Sequence, residues 1–158
     1  MKRGTTTLLK LIVILIGIFI LIACIFWLPW IANKVATMNP SYAYLRLPVL
    51  LGLYITSVPL FHALYHSLKL LGYINSKNAF SELAVISLKR VKYSAISIII
   101  LYGIGMLILE SQDVLLPVIA LIGIIIIFAA FVISLFTAIL QELFKNALEI
   151  KLENELTV

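Results

Sequence analysis

Two histidines four residues apart, His62 and His66, are the side chains best placed to do chemistry in this chain. On a helix they share one face, which Tyr65, Lys69 and Tyr73 continue. A His-x-x-x-His pair at this spacing can ligate a metal ion or haem iron. The ligand set is incomplete. No glutamate follows the first histidine as in a zinc hydrolase, and no carboxylate lies in the inner half of a span. Lys69 nearby would repel a cation. The spacing therefore favours a hydrogen-bonded polar stripe facing other helices, with ligand, haem or proton-linked use of His62 and His66 as the alternative. No cofactor or metal is assigned.

Other catalytic arrangements fail on their partners. No buried Asp or Glu joins a histidine near a serine, so no nucleophilic triad can be assembled. Glu110 and Asp113 are three apart in a short link and read as a solvated turn. The glycines are isolated, without a Walker or dinucleotide fingerprint. A carrier would need several ionisable groups at mid-membrane, or paired broken helices from an internal repeat. Only Pro59 disturbs the middle of a span, and no repeat is visible. Enzyme is the least supported class.

The elements that position these residues are set by hydropathy. The 158 residues are 63% hydrophobic and 12% charged, with mean hydropathy +1.17; a soluble domain carries about a quarter charged residues. Four apolar runs, at 11–30, 47–68, 91–109 and 114–140, are each near or above bilayer-crossing length. The expected fold is all-α: one integral membrane domain, 1–158, forming a four-helix bundle with a loop at 69–90 and a tail at 141–158.

In the first span Phe26, Trp27 and Trp30 suit the headgroup level and Pro29 marks the exit. Residues 31–45 are read as a connector. Leu21-Ile22-Ala23-Cys24 has the form of a lipoprotein cleavage site. The apolar run continues through Ile25 to Leu28, however, which favours an intact span with an inert cysteine. Pro48 falls in the first turn of the second span, and Pro59 should kink its middle. Gly123, Ala130, Ser134 and Ala138 form a small-residue packing seam in the fourth span, whereas Ile124 to Phe128 are bulky enough to face lipid.

Charge gives direction. With the N-terminus in the cytoplasm, Lys2, Arg3, Lys10, Lys69, Lys77, Lys89, Arg90, Lys92, Lys145 and Lys151 are inside, and only Lys34 and Arg46 are outside. Both termini and the central segment are thus expected to be cytoplasmic in a cell membrane. The net charge of +5 is explained by this asymmetry and by anionic headgroups, so direct nucleic-acid binding is not expected. After a turn at 75–78, residues 79–92 read as an interfacial helix on the inner membrane surface. The tail reads as a continued amphipathic helix with Leu140, Phe144, Ala147, Leu148 and Leu152 on one face. It carries four glutamates and two lysines, including Lys145 and Glu149 at i,i+4. Phe80, Glu82, Lys89 and Arg90, with Phe144, Glu149 and Glu153, are the candidate residues for docking a cytoplasmic partner. A homo-oligomer is also compatible with the pattern.

The opening Met1-Lys2-Arg3-Gly4-Thr5-Thr6, the central Ala79-Phe80-Ser81-Glu82 with Leu88-Lys89, and the ending Glu153-Asn154-Glu155-Leu156-Thr157-Val158 resemble one bacterial family. It comprises small four-span membrane proteins catalogued as domain of unknown function 2975. The resemblance implies no activity and no catalytic residues. Its members are often encoded beside a small helix-turn-helix regulator, which implies, as analogy, a membrane partner of a cytoplasmic transcription factor.

Overall fold

The computed structural model describes residues 3–76, 79–115 and 117–157. Lys2 and Lys77 of the charge count, the second half of the 75–78 turn, and Met1 and Val158 of the terminal motifs lie outside the described residues. Apart from short links, the described residues are helical: α1 (Arg3–Ile22), a π-helical turn (Ala23–Trp27), α2 (Leu28–Met38), a 3-10 stretch (Pro40–Leu45), α3 (Arg46–Asn75), α4 (Glu82–Ser111) and α5 (Pro117–Thr157). Four helical runs are long and apolar enough to cross a bilayer, namely Gly4–Met38, Pro40–Asn75, Glu82–Ser111 and Pro117–Thr157.

Pro29 does not end the first run. The helix passes through it to Met38, and the expected connector at 31–45 is largely helical. The physical reason is the π turn. The Leu28 N–H bonds to the Ala23 carbonyl, five residues back. In the same register the next donor would serve the Cys24 carbonyl, but that donor is Pro29, which has no N–H. The Tyr54 hydroxyl of α3 donates to the Cys24 carbonyl instead, at 2.7 Å. Inside a membrane a freed backbone group must find such a partner.

Pro48 lies in the first turn of α3, and Pro59 lies within the helix. The α4–α5 link is closed by a Schellman motif. The Val114 N–H reaches the Leu109 carbonyl and the Asp113 N–H the Glu110 carbonyl, each at 3.0 Å. Asp113 takes the left-handed position, at φ 55°, that glycine usually fills. Pro117 then opens α5.

The helices pack as a row: α1 against α3, α3 against α4, and α4 against α5. Among the described residues no comparable approach joins α5 to α1 or α3, so the expected bundle is an open layer. Its seams are lined by small side chains. Ala84, Leu88, Ala95 and Ala130 are the buried apolar residues, as expected where lipid removes the hydrophobic drive and close backbone approach takes over. Gly123 packs so closely on Met106 that a Cβ there would strike the thioether. Ala130 and Ser134 are buried in the same seam, but its far end is Thr137, with Ala138 only half-buried. Ser134 and Thr137 satisfy their own hydroxyls on the Phe131 and Ile133 carbonyls. Ile124, Ile125 and Phe128 are exposed, in keeping with a lipid-facing surface.

Candidate functional site

The central segment is built by α4 itself. Residues 82–92 do not form a separate surface helix: α4 runs unbroken from Glu82 to Ser111. The charges at Glu82, Lys89 and Arg90 suggested a helix half in water. Between them, however, Ala84, Ser87 and Leu88 are buried, so this portion packs against helices rather than lying flat on headgroups. Ser81 starts it as the N-cap, its Oγ accepting the Ala84 N–H at 3.2 Å. Glu82 in the first turn suits the positive end of the helix dipole.

Two clusters emerge from the candidate residues. In the first, the Phe80 and Phe144 rings meet edge to face, with centroids 5.3 Å apart. This ties the start of α4 to the tail of α5, which continues as one helix to Thr157. A cleft of about 670 Å³ opens beside the pair, lined by Phe80, Ala147, Ile150, Lys151, Asn154 and Glu155. Glu82, Glu149 and Glu153 are exposed but do not line it. Among the described residues Lys145 and Glu149 form no ion pair. The expected apolar face holds at Leu140, Phe144, Ala147 and Leu148, which are half-buried, and fails at Leu152, which is exposed. Alternation of polar and apolar residues foreshadowed that face. Nothing in the local pattern named Asn154 or Glu155 as cleft residues.

The second cluster lies between α3 and α4. His62 and His66 are neighbours, with ring centroids 4.4 Å apart. His62 is exposed, and its Nδ1 is 2.7 Å from the Ser94 Oγ. That hydroxyl donates to the Arg90 carbonyl at 2.9 Å, so the consistent assignment has His62 Nδ1–H donating to Ser94. His66 is buried, with an Nδ1 that has no partner among the described residues. The expected hydrogen-bonded stripe is thus only half made. Among the described residues no third His, Cys, Asp or Glu joins the two histidines as a metal-binding group. Lys89 and Arg90 belong here and not with the tail: they line a groove with His62 and Ser94. No local pattern marks Ser94 as a histidine partner; that role needs the neighbouring helix.

The family catalogued as protein of unknown function DUF2975 matches residues 30–158. The chain belongs to this family. The match takes in both clusters and leaves out the opening motif. The chain is also 47% identical, over 162 residues and the full length of both proteins, to the uncharacterized membrane protein YoaS of Bacillus subtilis (strain 168). No solved structure matches it. The four apolar helical runs and the likeness to a membrane protein together place the chain among multi-pass membrane proteins. Within the matched residues, the Ala79-Phe80-Ser81-Glu82 motif has a local structural use: Phe80 clamps the tail, Ser81 caps α4 and Glu82 opens its first turn.

Proposed function

We propose that this protein is a non-enzymatic membrane docking partner, regulatory or sensory, that holds a cytoplasmic protein at the start of α4 and the tail of α5. The observation that carries the reading is the Phe80–Phe144 contact. It joins two segments distant in the chain and leaves a half-apolar cleft along a tail with more glutamates than lysines. In α5 the 41 residues make about 60 Å of helix, roughly twice the hydrocarbon thickness, so one end stands clear of the bilayer. A partner with a basic surface, as in a helix-turn-helix regulator, complements such a tail. The charge asymmetry supports both termini and this cleft facing the cytoplasm.

The test is co-flotation of an adjacently encoded helix-turn-helix regulator with membranes containing the protein. Binding is expected, with at least a tenfold loss in Phe80→Ala and in the double change Glu149→Lys and Glu153→Lys. A regulator that never floats with these membranes rules the mechanism out. Reporter fusions at residue 76 check the orientation independently.

The second reading, a small transport or haem- or metal-binding protein, rests on the unpartnered Nδ1 of buried His66 beside His62. Haem absorbance or bound metal in purified protein, lost in His66→Ala, would favour it.

A further inference from the structure

The groove between α3 and α4 has two chemical zones, and the tail cleft shares no lining residue with it. On α4, Ile86, Lys89, Arg90, Tyr93, Ser94 and Ser97 recur at helical spacing along one face and line a volume of about 480 Å³. At the rim, Lys89 and Arg90 are exposed, and neither has an ion-pair partner among the described residues. Lys89 reaches only the Tyr93 ring, at 5.9 Å. No Asp or Glu lines the groove.

Deeper in, His62 Nδ1 and both serine hydroxyls are already paired. His62 is tied to Ser94, Ser94 to the Arg90 carbonyl, and Ser97 to the Tyr93 carbonyl at 2.9 Å. What remains of the wall is apolar, chiefly Val58 and Pro59. Ser97 is seven residues beyond Arg90, about 10 Å further into the hydrocarbon. The groove therefore offers uncompensated positive charge at the headgroup level and a largely apolar wall below it. An amphiphile with an anionic head and an acyl chain fits both zones; a free anion uses only the rim, and a zwitterionic lipid adds a positive charge beside Lys89 and Arg90.

We propose that this groove binds one anionic phospholipid, its phosphate held by Lys89 and Arg90 and an acyl chain lying against Val58, Pro59 and Tyr93. Both basic residues are exposed, so replacing them leaves the helix packing intact. The site stands whether or not a cytoplasmic partner docks at the tail.

Native mass spectrometry of the full chain released from nanodiscs of mixed phosphatidylglycerol and phosphatidylcholine tests it. The wild type is expected to retain one phosphatidylglycerol in preference to phosphatidylcholine. Retention should fall about fivefold for Lys89→Gln or Arg90→Gln, and further for the pair. The charge-matched control Lys10→Gln with Lys145→Gln should retain the lipid. Ser97→Phe, which keeps every charge and fills the lower groove, should also lose it. Equal retention in the Lys89/Arg90 pair and the control would reduce the effect to general surface electrostatics and overturn the proposal. Displacement of the lipid by inorganic phosphate, or retention unaltered in Ser97→Phe, would overturn the acyl-chain assignment and with it the site as stated.

Discussion

Tyr54 replaces a backbone hydrogen bond that Pro29 cannot make. Its hydroxyl sits 2.7 Å from the Cys24 carbonyl within the π turn. Tyr54→Phe leaves that carbonyl unsatisfied and should cost about 0.6–1.7 kcal/mol, the range of interhelical hydrogen bonds in membranes. Reversible unfolding in mixed micelles measures it. Pro29→Ala restores the missing donor and allows an α register, so in that background Tyr54→Phe should cost close to nothing. An undiminished cost in the double variant would sever the link between the proline and the tyrosine. His62 shows the other limit of residue-level reading. The His-x-x-x-His spacing is visible in sequence, but Ser94, its partner, lies on α4, and only the packing of α3 on α4 brings the two together.

At the scale of elements, two helix termini carry tests of their own. Asp113 occupies a left-handed C′ position, which costs a non-glycine residue about 1 kcal/mol. Asp113→Gly should be neutral to stabilising by up to about 1 kcal/mol in thermal unfolding, and Asp113→Val should be destabilising. Ser81→Ala removes the α4 cap and should cost about 1 kcal/mol. Hydrogen exchange should then quicken in the first turn of α4 while α5 is unchanged; uniform quickening would mean that Ser81 does more than cap. The spans were legible because twenty-residue apolar runs admit few other readings. Pro29 was misleading because punctuation that ends a soluble helix is tolerated in lipid as a π turn. The charges of 82–92 were misleading too. Their periodicity resembles that of a surface helix, while Ala84, Ser87 and Leu88 are buried by helices far off in the chain. The Phe80–Phe144 pairing was out of reach for the same reason: both residues were candidates, but no local pattern joins them.

At the scale of the whole molecule, the open row decides which surfaces remain for partners. Contacts at Gly17 with Leu64, His62 with Ser94, and Gly123 with Met106 fix neighbouring helices at matched depths and alternate their directions. By that register Phe19 of α1 and Ile133 of α5 lie at similar depth, both exposed, at opposite edges of the row. A closed bundle would bring them together; a row keeps them apart within one chain. Introducing a protease site between residues 76 and 79 in a Cys24→Ser background separates α1–α3 from α4–α5 after cleavage. Cysteines at His62 and Ser94 should then hold the halves together once cross-linked, because those side chains touch. Cysteines at Phe19 and Ile133 should not. If they do so at monomer mass, the row is closed in the membrane and the bundle expectation returns. If they link two chains, the row edges meet in a homo-oligomer, and α1, which among the described residues packs extensively on α3 alone of the long helices, is the element that a second copy completes.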